Sequence, residues 1–389
     1  MGGIMITKGI TGLGRAKGLV VHPVPVKPKI PTVYNHDIMS CTADGVKGNH
    51  LYSGRILGAT EPGDMVQLHP LLKGEWGEIV EHYSRIGLVH SQNVIWDVGL
   101  EYMPIQDGVR PSHFFYGDME LKKGGDIAWA RSVEFINSKN NFMSLADELG
   151  VPVPKTSCFD SVREIADADI DGFPYPCYLK AAVSVSGVGI YRCEDRSALL
   201  RAMARFDADV PVQLQQEVKT EIFLNLQYRV TDGMCRRLLA TEQILEGTAH
   251  QGNFHPTPYE PWDIVEPMAA WMAEKGFKDI LAFDVAVLQT ETGTDYLAIE
   301  CNPRYNGASY PTLIAMKCGI EEWESANFST RHRALKDLDL QGIEFDPASG
   351  EGVIIVNWGP ILVGKIMLMI AGSSMARQRI KLELQQRLW

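Results

Sequence analysis

The stretch "DYLAIECNPRYNG", residues 295–307, runs apolar and then ends in Glu300, Asn302 and Arg304. Strand side chains alternate faces, so these three share one face if strand geometry persists. The run before it, "ILAFDVAVLQ" (280–289), is a second strand, joined through the glycine-containing "TETGT". If Gln289 faces Asp295 across that turn, Asp284 lies directly opposite Glu300. Two carboxylates opposite each other on one sheet face repel. Either one is protonated or a cation lies between them. Asn302, next on the same face, adds a further oxygen. Asp, Glu and Asn oxygens are the ligand set of Mg²⁺, which commonly shares its shell with substrate phosphates. A solvated polar face would also carry such charges, but the apolar flanks argue that these strands are buried.

Upstream, "YLKAAVSVSGVGI" (178–190) puts Lys180 on a strand before a loop of small residues. Gly187 and Gly189 let backbone N–H groups turn toward an anion without a Cβ in the way. Lys180 adds a point charge for a phosphate. No G-K-[ST] follows, so this is not a Walker A loop. Further upstream, Phe142, Leu145, Ala146 and Leu149 fall at helical spacing. Asn137 or Ser138 can cap that helix, and Gly150 ends it before Pro152 and Pro154. Lys139 stands in its first turn, where a cation opposes the helix dipole. Local stability does not explain it.

Lys139 before "GVPVP", Lys180 before the Gly/Ser loop, "QQEV" (215–218) with Glu221 beyond, and Asp284 followed by "ECNPR" together resemble the ATP-grasp superfamily of carboxylate–amine/thiol ligases. The resemblance spans about residues 130–320. It implies an α/β (α+β) chain in which two α+β subdomains grip ATP, preceded by a divergent N-terminal α/β domain. It further implies Lys139 and Lys180 on the phosphates. Residues 184–189, with Ser184, Ser186, Gly187 and Gly189, become a lid over them. Main-chain groups of Gln216, Glu217 and Val218 meet adenine, and Glu221 meets the ribose. Asp284, Glu300 and Asn302 hold Mg²⁺, with Mn²⁺ as a substitute, and Arg304 steadies the reacting group. The chemistry implied is activation of a carboxylate as an acylphosphate, then capture by an amine. A phosphotransferase, or a nucleotide-binding regulatory module without catalysis, are the alternatives. Amine-dependent ADP release would separate the first two. Arg304 and a complete metal set disfavour the third.

The rest of the chain bounds this reading. Residues 1–30 read as a glycine-rich, flexible arm without a signal-peptide pattern. Residues 31–125 mix short apolar runs such as "PTVYNHD" and "GDMVQLHP", an α/β domain without a convincing first strand and glycine turn and without recognisable chemistry. The ATP-grasp domain is expected over 126–330, its lid at about 150–217. Residues 331–389 complete the core with two apolar strands in "GVIIVNWGPILVGKIMLMIAG" (352–372) and a last basic helix. Asn357, Pro360 and Lys365 interrupt that apolar run, so a membrane span is not expected. The pair His250 and His255 in "AHQGNFHP" reads as loop histidines that bond locally. Cys301, beside Glu300, points by alternation to the opposite face and reads as core.

The chain has 389 residues, 45% hydrophobic and 22% charged, with a net charge of -11. That is ordinary globular composition, and its sign argues against a nucleic-acid binder. Seven cysteines without a C-x-x-C pair fit a reducing, cytoplasmic setting. The expected partners are small-molecule carboxylate and amine substrates, with no nucleic acid and no membrane. The composition is compatible with a homodimer.

Overall fold

A computed structural model describes residues 30–42, 48–105, 108–184, 189–247 and 249–389. The chain divides into two units, Met1–Ile30 and Pro31–Trp389, of which the second is the body described below. The arm expected at the N-terminus lies outside the described residues, apart from Ile30.

Four short strands, β1 (Thr32–Asn35), β2 (Met65–Gln67), β3 (Asn93–Ile95) and β4 (Arg110–His113), form a parallel sheet of order β3-β2-β1-β4. β1 is buried at all four positions, as an interior parallel strand covered on both faces must be. The sequence therefore does hold a first strand of this kind, in "PTVYN". A parallel strand lacks the alternation that marks a half-buried one, and four residues are too few to stand out.

A second four-stranded sheet contains β5 (Thr156–Phe159), β6 (Cys177–Ala181), β7 (Ile190–Cys193) and β8 (Val212–Gln216) in the order β5-β8-β6-β7, all antiparallel. It has its own apolar cluster, centred on Leu179, Leu199 and Leu214.

The largest sheet has eight antiparallel strands. They are β9 (Phe223–Thr231), β10 (Met234–Glu246), β11 (Ala249–His255), β12 (Asp279–Thr290), β13 (Gly293–Asn302), β14 (Trp323–Ser329), β15 (Gly352–Asn357) and β16 (Lys365–Ala371). Their order is β13-β12-β9-β10-β11-β14-β16-β15. β15 and nearly all of β16 are buried and are separated by a turn at Gly359–Val363, so the late apolar run is two strands as expected. Among the described residues no helix is long and apolar enough to cross a membrane. All seven cysteines are free.

β10, β11 and β14 are elements that the sequence pattern did not reveal. His250 and His255 accordingly lie on a strand rather than in a loop. Only His250 bonds locally, its Nε2 2.6 Å from Asn253 Oδ1; His255 Nδ1 is 2.9 Å from the Ala240 carbonyl on the neighbouring strand.

The helix Lys139–Leu149 begins at Ser138, whose hydroxyl accepts from the Asn141 N–H, and stops at Gly150 in the left-handed region, φ 68°. Phe142, Leu145 and Ala146 are buried against Val133 and the β12–β13 strands. Burying a side chain the size of Phe or Leu contributes about 1.5–3 kcal/mol. This packing holds the helix start, and with it Lys139, beside the end of β13.

Candidate active site

β12 and β13 do pair Asp284 with Glu300, but by a route the sequence did not show. Near the turn Gln289 pairs with Thr294, and Asp295 with Leu288, one step from the expected register. A bulge between Asp284 and Val285 restores it. One extra residue on one strand is what a bulge inserts, and it swings the carboxylates face to face. Cys301 pairs with Phe283 and belongs to the apolar cluster on the other face.

Asp284 is enclosed by amides. Its Oδ1 accepts from Asn225 Nδ2 at 2.7 Å and Gln243 Nε2 at 2.8 Å, and its Oδ2 from Asn302 Nδ2 at 3.1 Å. These bonds favour the ionised form, yet burial and the facing Glu300 push its pKa up to about 7. Glu300 goes the other way. Burial opposes its ionisation, but Lys139, Lys180 and Arg304 hold its carboxyl below the usual range.

Lys139 Nζ stands 3.4 Å from Glu300 Oε2 and donates to Ser184 Oγ at 3.1 Å. The ion pair accounts for a cation at the wrong end of a helix. Its N–H also donates to the Ala182 carbonyl at 2.6 Å, tying the helix start to the β5–β8 sheet. Lys180 is buried on β6 with Nζ 2.5 Å from Gln215 Oε1. Burial lowers its pKa to about 8, although Glu300 works against the shift.

β13 ends at Asn302, so strand alternation does not carry Arg304 to the Glu300 face. The loop after Pro303 brings it there instead, with Nη1 donating to Asn137 Oδ1 at 3.2 Å. Lys139, Ser184, Glu300, Asn302 and Arg304 line one cleft of about 430 Å³.

Gln216 ends β8, and Glu217 and Val218 begin the link to β9. The Gln216 and Glu217 N–H groups already donate to the carbonyls of Lys155 and Pro176. Pro176 has no N–H to return to the Glu217 carbonyl. The Glu217 side chain is occupied by Arg192 and by the Tyr178 hydroxyl. Glu221 is exposed beyond them, and Gly189 takes a left-handed φ of 74° at the start of β7. Ser186 and Gly187 lie outside the described residues.

The residues fit a hard divalent cation. Asp284 and Glu300 are left facing each other, a repulsion that a cation would relieve, and Asn302 can turn its amide oxygen toward it. Among the described residues no three of His, Cys, Asp and Glu group as metal ligands. Two carboxylates and an amide leave the remaining positions to phosphate oxygens and water.

The sequence reading missed Asn225 and Gln243, and took Asn137 only as a candidate helix cap, a place that Ser138 fills. Asn225 carried a signal: in "FLNLQYRV" polar Asn225, Gln227 and Arg229 alternate with apolar neighbours. Gln243 did not, because its strand mixes residue types on both faces.

No family model matches the chain, and no curated protein is significantly similar to it. Solved structures are. N5-carboxyaminoimidazole synthetase from Staphylococcus aureus, complexed with ADP, is 11% identical over 92% of this chain and 97% of that chain, with a TM-score of 0.57. The N5-carboxyaminoimidazole ribonucleotide synthetase from Thermus thermophilus is 13% identical over 92% and 98%, with a TM-score of 0.54. The Aspergillus clavatus synthase, in complex with ADP and 5-aminoimidazole ribonucleotide, is 12% identical over 85% and 99%, with a TM-score of 0.51. At such identities the likeness is one of fold.

Proposed function

We propose that this chain, whose fold is that of the ATP-grasp superfamily, is an ATP-dependent ligase that joins a carboxylate to an amine. The observation that carries this reading is the convergence of Lys139, Glu300 and Arg304 on one cleft, with Lys180 and Asp284 behind it acting on Glu300. That three similar structures were solved with ADP or ATP supports a nucleotide as the ligand.

In this reading adenine sits at the link from β8 to β9, meeting the Glu217 carbonyl and the Val218 N–H, with Glu221 on the ribose. Lys139 and Lys180 take the phosphates, under the loop bounded by Ser184 and Gly189. Asp284, Glu300 and Asn302 would hold Mg²⁺ or Mn²⁺. Such a cation, when bound, neutralises phosphate charge and orients the transfer.

An oxygen of the substrate carboxylate attacks the γ-phosphorus, and ADP leaves. The amine then attacks the acyl carbon, loses a proton, and phosphate departs. Arg304 is a fixed cation for charge that develops on the transferring group. A closed cleft keeps water from the mixed anhydride.

Screening amino acids and short peptides for stimulated release of ADP and phosphate tests the reading. Release that needs an added amine supports the ligase. Release from an acid alone that no amine alters contradicts it.

A further inference from the structure

A second crevice lies at the parallel sheet. In the order β3-β2-β1-β4 the chain moves outward from β1 through β2 to β3, then returns on the other flank as β4. The connections diverge between β1 and β4. In open α/β sheets, ligands bind outside the carboxyl ends of the strands at such a switch point. Here Asn35, Asp37, Phe114 and Phe115, at or just past those two ends, line a crevice of about 620 Å³ together with Glu101 and Glu120.

Arg55 is not among the residues that line the crevice; it lies against the ring of Phe114, which does, and its charge acts on Asp37. Only 8% of Arg55 is exposed, and its Nε and Nη2 are buried without a hydrogen-bond partner among the described residues. Its guanidinium carbon is 4.2 Å from the ring centre of Phe114, 4.6 Å from that of Tyr310 and 5.5 Å from that of Tyr52. Aromatic faces attract a cation but leave its N–H groups without acceptors. A buried cation without an ionic partner costs stability.

The acidic side is incomplete too. Asp37 Oδ2 accepts from the Met39 N–H at 3.0 Å, while Oδ1 is buried without a partner among the described residues. Glu120 is buried, and its Oε2 accepts from the Gly117 N–H at 2.9 Å. A phosphate would bring two charges to a crevice lined by three carboxylates. A zwitterion pairs both signs and brings no net charge.

The guanidinium of Arg55 is linked to the segment that carries Arg304 through Tyr310. Tyr310 stands on the helix Ser309–Cys318, just past the Arg304 loop.

We infer that this crevice binds a small zwitterion of amino-acid type, its carboxylate on Arg55 and its ammonium on Asp37 and Glu120. The role of that molecule as a ligation substrate rests on the ligase reading; its binding does not.

Calorimetric titration with each proteinogenic amino acid, with and without MgADP, tests this, followed by the carboxamide of each binder. At least one amino acid should bind, and its carboxamide should bind about 10²-fold more weakly, as expected for losing hydrogen bonds to a charged group. Arg55→Met should weaken binding by a similar factor, leave MgADP affinity unchanged and not lower Tm, because it removes an unpaired buried charge. Arg55→Lys should restore part of the affinity. Protein that binds an amino acid but not MgADP would uphold the inference and sink the ligase reading. Protein that binds MgADP but no amino acid would overturn the inference. So would Arg55→Met with unchanged amino-acid affinity, or a carboxamide that binds as tightly as its acid.

Discussion

At Glu344 a carboxylate accepts from Arg85 Nε and Nη2, both at 2.9 Å, and from His82 Nδ1 at 2.6 Å. At Asp284 a carboxylate faces a second carboxylate. The first arrangement is closed. His82 Nε2 accepts the Ile355 N–H at 3.0 Å, so the ring is neutral and donates to Glu344 through Nδ1. Burial opposes ionisation of Glu344, but these bonds hold its pKa at about 2. At Asp284 the three amide bonds do not offset burial and the facing charge, and the pKa rises to about 7. One cluster has its charges matched within the chain. The other keeps a mismatch that a bound cation and phosphates would resolve. Perturbed groups gathered beside a cleft mark a candidate for function.

Four substitutions and a pH series press on this contrast. Glu300→Gln removes one of the two facing charges at constant size. Turnover that depends on Mg²⁺ should fall by about 10³ or more, since a cation clamp supplies several kcal/mol, while Tm also falls, because Lys139 loses its ion-pair partner. Steady-state kinetics and a melting curve on one preparation check it.

Arg304→Ala should lower kcat by about 10²–10³, the usual loss for one preorganised donor, and weaken ATP binding far less. Arg304→Lys should recover only part, because a point charge lacks the planar fork. A normal single-turnover rate with a lowered Tm would instead make Arg304 a structural residue.

Glu344→Gln should reverse the pattern. It strips the ionic acceptor from His82 and Arg85 and should cost about 1–3 kcal/mol of stability in urea, with nucleotide affinity unchanged.

The smallest effect is a difference in slope. A depressed carboxyl contributes stability that is present above its unfolded value near 4.5 and lost as pH falls toward 2. A raised one does the opposite: between about 4 and about 7 the folded, cation-free protein holds a proton that the unfolded chain has lost. Stability from Asp284 therefore falls as pH rises through that window. Denaturation of the cation-free protein across pH 3–8 should show the acid-side loss shrink in Glu344→Gln. The neutral-side loss should shrink in Asp284→Asn.

The contrast was half legible in the sequence. Asp284 and Glu300 could be paired because polar residues interrupt otherwise apolar strands. The bulge that seats them could not be read, since any hairpin with this turn length fits several registers. Lys139 showed as an anomaly of the helix dipole, but its partner lies on β13. Arg55 showed no signal, because two of the three rings beside it, Phe114 and Tyr310, come from distant segments and only folding brings them to it. Glu344 was equally silent, its partners lying on the helix Trp76–Arg85.

The claim that Asp284 and Glu300 wait for a cation carried with nucleotide phosphates is tested most directly by the Tm increment on adding ATP with and without Mg²⁺. In the wild-type protein Mg²⁺ and ATP together should raise Tm well beyond the sum of their separate effects. In Asp284→Asn the starting Tm should be equal or higher and the joint increment should disappear. An undiminished joint increment in Asp284→Asn would contradict the account.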